Sequence, residues 1–257
     1  MVMVPASLPE QCKALKLAHV PSLYLELEYH DREQYLTALF KAELEARQAS
    51  KIRRLIHRAG FLAHKTLEDF DWTPVTLPAS TTITTLSNLA FLERHENVLA
   101  LGAVGTGKTH LATGLGVKAC MAGKAVRFYR CLDLVNNLLD SHRQGGLGKM
   151  MADLEKVDLI IIDELGFMPL HRDGAELLFN VVARAYERQS IIVTSNLQFS
   201  QWNTVLGDNR LTAALIDRLV HHAHILAFDG ESYRLRRALS AMHADQPVST
   251  AAMGSDT

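Results

Sequence analysis

Gly102, Gly107, Lys108 and Thr109 stand inside the stretch "GAVGTGKT", behind the apolar run "NVLALG" and ahead of "HLATGLGVKAC". Glycines at those places let the backbone adopt positive φ and turn its N–H groups around an oxyanion. A helix beginning near Lys108 adds its positive end to the same anion. The lysine ammonium can reach the β and γ phosphates of a nucleoside triphosphate, and a threonine hydroxyl suits Mg²⁺. The whole stretch of Gly102, Ala103, Val104, Gly105, Thr106, Gly107, Lys108, Thr109 and His110 is therefore the expected nucleotide-binding segment, and the acids considered next favour ATP as that nucleotide.

A second constellation follows in "LIIIDE", where a run apolar on both faces ends in Asp163 and Glu164. Ligands of open parallel sheets gather at the carboxyl ends of strands, which is where these acids fall. Asp163 suits the Mg²⁺ site together with Thr109, and Glu164 suits a base that polarises the attacking water. "IIVTSN" ends a further apolar run in Asn196, placed to bond the γ-phosphate or orient that water, or else to close an Asx turn. Later arginines offer guanidinium groups for the charge that develops in phosphoryl transfer. Arg218 is the candidate for delivery to a neighbouring subunit, and Arg234 for the subunit's own nucleotide, with Arg236 and Arg237 close by. Phe70 and Trp72 can wall an adenine ring or fill the core.

These side chains need elements to hold them. From Asn97 onward short apolar runs alternate with amphipathic stretches: "NVLALG", "AVRFYRC", "VDLIIIDE" and "SIIVTSN" read as strands. "HLATGLGVKACMAG", "DLVNNLLDSHR" and "GAELLFNVVARAYERQ" read as helices between them. That alternation predicts an α/β fold, a parallel sheet flanked by helices. "LTAALIDRLVHHAHIL" reads as one more amphipathic helix. Residues from about 8 to 60 read as helical, with Asp31 as a start signal and Gly60 as a stop. "DWTPVTLPASTT" is a connector. The resulting division is 1–64 helical, 65–239 α/β, and 240–257 a small, polar and disordered tail.

The net charge of −1 hides a local basic stripe. Between Ala46 and Lys65 there are six Lys/Arg residues and no acid. On a helix Arg47, Lys51, Arg54 and Arg58 share one narrow face, beside a packing face of Ile52, Leu55, Ile56 and Ala59. Four like charges at that spacing repel, which points to a phosphate-backbone partner bound without base readout. Arg143 and Lys149, in the glycine-rich stretch "SHRQGGLGKM" that reads as a loop, form a second candidate surface for DNA or a neighbouring subunit. Three well-separated cysteines, Cys12, Cys120 and Cys131, indicate neither a zinc site nor a disulfide framework, and so a reduced, cytoplasmic setting. No signal peptide or membrane span is expected, apolar runs such as "LIII" being far too short to span a bilayer.

The order of phosphate loop, "IIIDELGF", "TSN", and "LIDRLVHHAHIL…GESYRLR" resembles the IstB-like transposition helper ATPases of insertion sequences, relatives of the DnaC helicase loader among AAA+ proteins. The resemblance runs from Lys65 to about Leu239. It implies a P-loop NTPase of the AAA+/ASCE type, with a helical appendage before it and a small C-terminal helical lid. It also implies an ATP site shared between subunits, duplex DNA bound by an ATP-loaded homo-oligomer, and a transposase partner. Lys108, Thr109, Asp163, Glu164 and Asn196 fall on its nucleotide-handling positions, and Arg218 on its trans-arginine position. A DnaC-like helicase loader is the runner-up. A small-molecule P-loop kinase is the third reading, disfavoured by the absence of an arginine-rich acceptor lid.

Overall fold

The structure, a computed structural model, describes residues 7–28, 31–230 and 232–233. Asp31 opens the long N-terminal helix by accepting from the Glu33 and Gln34 N–H groups, and Gly60, at φ 78°, closes it. These are the start and stop that the sequence predicts. Two short helices, α1 (Leu8–Ala14) and α2 (Val20–Leu23), fold back on this helix, α3 (Arg32–Ala59). Cys12, Val20 and Leu39 bury a small cluster between them. The connector then carries β1 (Val75–Thr76), α4 (Ile83–Ser87) and α5 (Ala90–Glu93).

Beyond it the predicted alternation appears as β2 (Asn97–Gly102), α6 (Lys108–Met121), β3 (Val126–Arg130), α7 (Cys131–Arg143), α8 (Leu147–Leu154), β4 (Leu159–Leu165), α9 (Arg172–Ala185) and β5 (Ser190–Ser195). After these come α10 (Asn203–Leu206), α11 (Asn209–Val220) and β6 (Ala223–Phe228). The strands form one sheet in the order β1-β6-β2-β5-β4-β3. All pairs are parallel except β1 with β6. Helices cover both faces. Leu134, Leu138, Val181 and Leu215 pack on one side, and Leu111, Leu115 and Ala119 on the other. Coverage on both sides is why β4 and β5 read as unbroken apolar runs.

Two expectations are corrected. "LTAALIDRLVHHAHIL" is not one helix: α11 stops at Val220, and Ala223–Phe228 is a strand that pairs with β2 along its whole length. The backbone of β2 is buried and must be hydrogen-bonded on both edges, a demand that outweighs local helical periodicity. Buried His224 in that strand is held by Thr81 at 2.6 Å and Glu96 at 2.9 Å. The expected loop "SHRQGGLGKM" is reduced to a tight turn at Gln144, Gly145 and Gly146, because Lys149 lies within α8 and Arg143 ends α7, paired with Asp140 at 3.3 Å.

The helical N-terminal segment is joined to the sheet by packing. Leu55, Ile56 and Ala59 of α3 belong to the core on the α6 side, and Arg127 of β3 donates to the Arg58 carbonyl at 2.9 Å. Arg234, Arg236 and Arg237, on the segment that closes the expected 65–239 region, and the expected disordered tail at 240–257 lie outside the described residues. Among the described residues no helix is long and apolar enough to cross a membrane.

Candidate nucleotide site and basic face

The glycine-rich loop turns between β2 and α6 because Gly102, Gly105 and Gly107 all take positive φ. Gly102 has a further reason to be glycine, since a Cβ there would stand 2.2 Å from the Phe228 carbonyl oxygen. Thr106 closes the loop from within by donating to the Ala103 carbonyl at 2.8 Å. Lys108 opens α6 and is largely buried; its ammonium donates to the Gly102 carbonyl at 2.8 Å and the Ala103 carbonyl at 2.5 Å. Val104, Gly105, Gly107, Lys108, Thr109 and His110 line a cleft of about 980 Å³. Gly102, Ala103 and Thr106 are not in that lining; these bonds join them to Lys108 or to one another.

Across the cleft the carboxyl ends of β4 and β5 converge. Asp163, only 1% exposed, accepts from the Thr109 hydroxyl at 2.9 Å and the Thr194 hydroxyl at 2.6 Å. Thr194 in turn accepts the Glu164 N–H at 2.9 Å. Glu164 sits at φ 60°, the left-handed region that a non-glycine residue seldom occupies, and its side chain is turned outward into the cleft. Asn196, exposed at the end of β5, lines the same space. The Thr109 hydroxyl and the Asp163 carboxylate make an all-oxygen pair of the kind hard divalent cations prefer. The glycine loop, a lysine and a helix N-terminus facing that pair make a cradle suited to a polyphosphate.

The remaining expected residues have other partners or other places. Arg218 does not reach this cleft. It lies half-buried on α11, with its guanidinium 4.7 Å from the Phe179 ring centre and donating to the Ala214 carbonyl at 3.0 Å. Phe70 is buried beneath the loop, edge-on to Trp72, His110 and Phe228, so of its two readings the structure selects core. His110 Nε2 bonds the Thr66 carbonyl at 2.8 Å, tying α6 to the connector. Arg234 is outside the described residues.

Sequence reasoning missed Arg130, which ends β3 directly beside Asp163 and brings its Nε to 3.9 Å from the Glu164 carboxylate. A basic residue at a strand's carboxyl end was the available signal, but its neighbour depends on strand order. The bracing role of Thr194 was missed for the same reason.

On α3, Arg47, Lys51, Arg54 and Arg58 are all exposed, and they line a groove of about 960 Å³ with Arg53 and His57. The positive charge of Arg47 is already matched, since its Nε lies 2.6 Å from Glu43 and a terminal nitrogen donates to the Lys16 carbonyl. Part of the expected like-charge repulsion is thereby relieved inside the chain. Leu36, Phe40 and Leu44, also exposed, continue the same face toward the helix N-terminus, the full set spanning an arc of about 80° at 100° per residue.

The position of β5 between the strand of the phosphate loop and the acid-bearing β4, with the Thr109 and Thr194 hydroxyls both on Asp163, gives the chain the fold and nucleotide site of a P-loop ATPase. Solved structures agree on the fold. AMPPCP-bound DnaA from Aquifex aeolicus matches with a TM-score of 0.53 at 20% identity, over 72% of this chain and 56% of that one. DnaI matches with a TM-score of 0.51 at 15% identity, over 70% and 92%. The chain thus spans a little over half of the DnaA chain. A profile of the family described as IstB-like ATP binding protein matches residues 13–241, and the chain belongs to that family. It is 40% identical over 203 residues to an ATP-binding protein of insertion sequence IS5376 from Geobacillus stearothermophilus, covering 79% of this chain and 81% of the relative. It is 38% identical over 216 residues to one of insertion sequence IS21 from Pseudomonas aeruginosa, covering 84% and 80%.

Proposed function

We propose that this insertion-sequence ATP-binding protein is a DNA-dependent ATPase that assembles as an ATP-bound oligomer on duplex DNA and presents a target site to a transposase of the same element. The observation that carries the reading is the convergence of Lys108, Thr109, Asp163, Glu164 and Asn196 on one cleft, in a chain whose exposed α3 face is basic. Loop N–H groups and the Lys108 ammonium bind and orient the triphosphate. Thr109 and Asp163 would hold Mg²⁺, which neutralises charge on the β and γ phosphates when bound. Glu164 takes the proton of the attacking water on its carboxylate, and Asn196 orients that water through its amide. Arg218, being remote from the cleft of its own chain, serves the cleft of a neighbour.

Lys51, Arg54 and Arg58 set the DNA contact, with Arg47 holding the groove's wall. Such contacts act on phosphates and so bind largely without regard to sequence. Leu36, Phe40 and Leu44 on the same face supply apolar surface for the adjoining subunit. The test is ATP turnover with and without duplex DNA, alongside particle size with a non-hydrolysable ATP analogue. Duplex-stimulated turnover and a large ATP-dependent particle are expected. Equal rates and a monomer under both conditions would remove the reading.

A further inference from the structure

The segment "DRLVHHA" contains two histidines that nucleotide chemistry does not use. His221 and His222 follow α11 in the turn that leads into β6, and Glu187 lies in the turn from α9 into β5. Since β5 and β6 flank β2 and all three run parallel, both turns lie at the amino ends of the strands, opposite the nucleotide cleft. One ring nitrogen from each imidazole and a Glu187 carboxylate oxygen come within 4.8 Å of one another, all three residues being exposed. We propose that these three side chains form a site for a transition-metal ion of the zinc class.

The donor set decides the ion. Two imidazoles and one carboxylate favour Zn²⁺, Co²⁺, Ni²⁺ or Cu²⁺, whereas the oxygen pair of Thr109 and Asp163 suits Mg²⁺. Ligand bonds of about 2.0 Å in tetrahedral geometry need donors roughly 3.3 Å apart. Exposed side chains close the remaining ångström or so by adjusting rotamers, without backbone movement. The His221 ring is already oriented by the Tyr186 hydroxyl, 2.8 Å from Nδ1. A hydrogen bond to one ring nitrogen is the outer-shell support that metal-ligating histidines characteristically have. The rings of His221 and His222 lie 4.1 Å apart between centres, close enough for their nitrogens to share one ion.

A bound ion clamps the end of α9 to the end of α11, the pair on which Arg218 stacks against Phe179. It leaves one coordination position to water or to a donor from outside the chain. The site stands whether or not Arg218 acts on a neighbouring subunit.

Calorimetry of the full-length, tag-free, chelator-treated protein with ZnCl₂ tests this directly, with Co²⁺ absorption reporting the ligand set. One ion per chain at this site is expected, and zinc should raise the thermal midpoint. His222→Ala and Glu187→Gln should each weaken zinc binding by roughly tenfold or more. His142→Ala, on α7, should leave it unchanged. Circular dichroism and ATP binding verify that each variant is folded; Glu187→Gln, conservative in shape, decides the matter if His222→Ala is not. No zinc heat, or parental affinity in a folded His222→Ala or Glu187→Gln variant, would overturn the site. ATP binding retained while zinc binding fails would overturn it without touching the ATPase reading.

Discussion

Asp163 receives hydroxyl bonds from both Thr109 and Thr194, so its carboxylate is held in place by the chain's own side chains. Lys108 stands opposite, spending its protons on loop carbonyls that a polyphosphate would replace. Charge-assisted bonds of this kind are worth about 1.5–3 kcal/mol each. Lys108→Ala should therefore weaken ATP binding by about 10- to 100-fold, as read by nucleotide titration; parental affinity would remove the lysine from the site. Glu164→Gln keeps the shape and loses the base. ATP binding should persist while turnover falls by roughly 10²–10⁴, measured as phosphate release.

At the scale of elements, one buried carboxylate holds the N-terminal helices together. Glu43 of α3 accepts from the His19 N–H at 2.8 Å and the Val20 N–H at 2.9 Å, capping α2, and pairs with Arg47 at 2.6 Å. Burial alone would raise its pKa, but the Arg47 hydrogen bond and the two N–H groups outweigh it and hold the carboxyl below its usual value of 4.5. The ionised form is thus favoured by folding, so its stabilisation is present above pH 4.5 and is lost as pH falls through the lowered value. Glu43→Ala should cost about 1–3 kcal/mol and abolish that acid-side loss, with faster hydrogen exchange in α1 and α2 as the local readout. Gly102→Ala meets a harder obstacle, a Cβ set 2.2 Å from the Phe228 carbonyl oxygen at φ 143°. It should lose more than about 4 kcal/mol or fail to fold, by urea denaturation.

Across the whole molecule the basic groove lies on the helix that also packs against β3, so the DNA contact proposed above and the ATPase core share one element. Each phosphate contact contributes about 0.9 to the slope of log affinity against log salt. Lys51→Ala and Arg54→Ala should each lower that slope by about 0.9 on random duplex DNA, and Arg47→Ala by less, because Glu43 already offsets its charge. Equal losses for all three would show that Arg47 also contacts phosphate.

The phosphate loop, the acids at the end of β4 and the caps of α3 were legible in the chain, because each depends on residues within a few positions of one another. Strand order was not. Only the tertiary hydrogen-bonding pattern sets β5 between the loop strand and the acid strand, bringing Thr194 against Asp163 and Arg130 against Glu164. The same demand turned the end of a helical pattern into β6, since a buried strand edge must find a partner whatever the local periodicity prefers. Packing likewise gave Arg47 to Glu43 and Phe70 to the core. Sequence thus determined which groups could handle a triphosphate; the fold decided which of them meet, since long-range pairing satisfies backbone and charge across distances that no local pattern records.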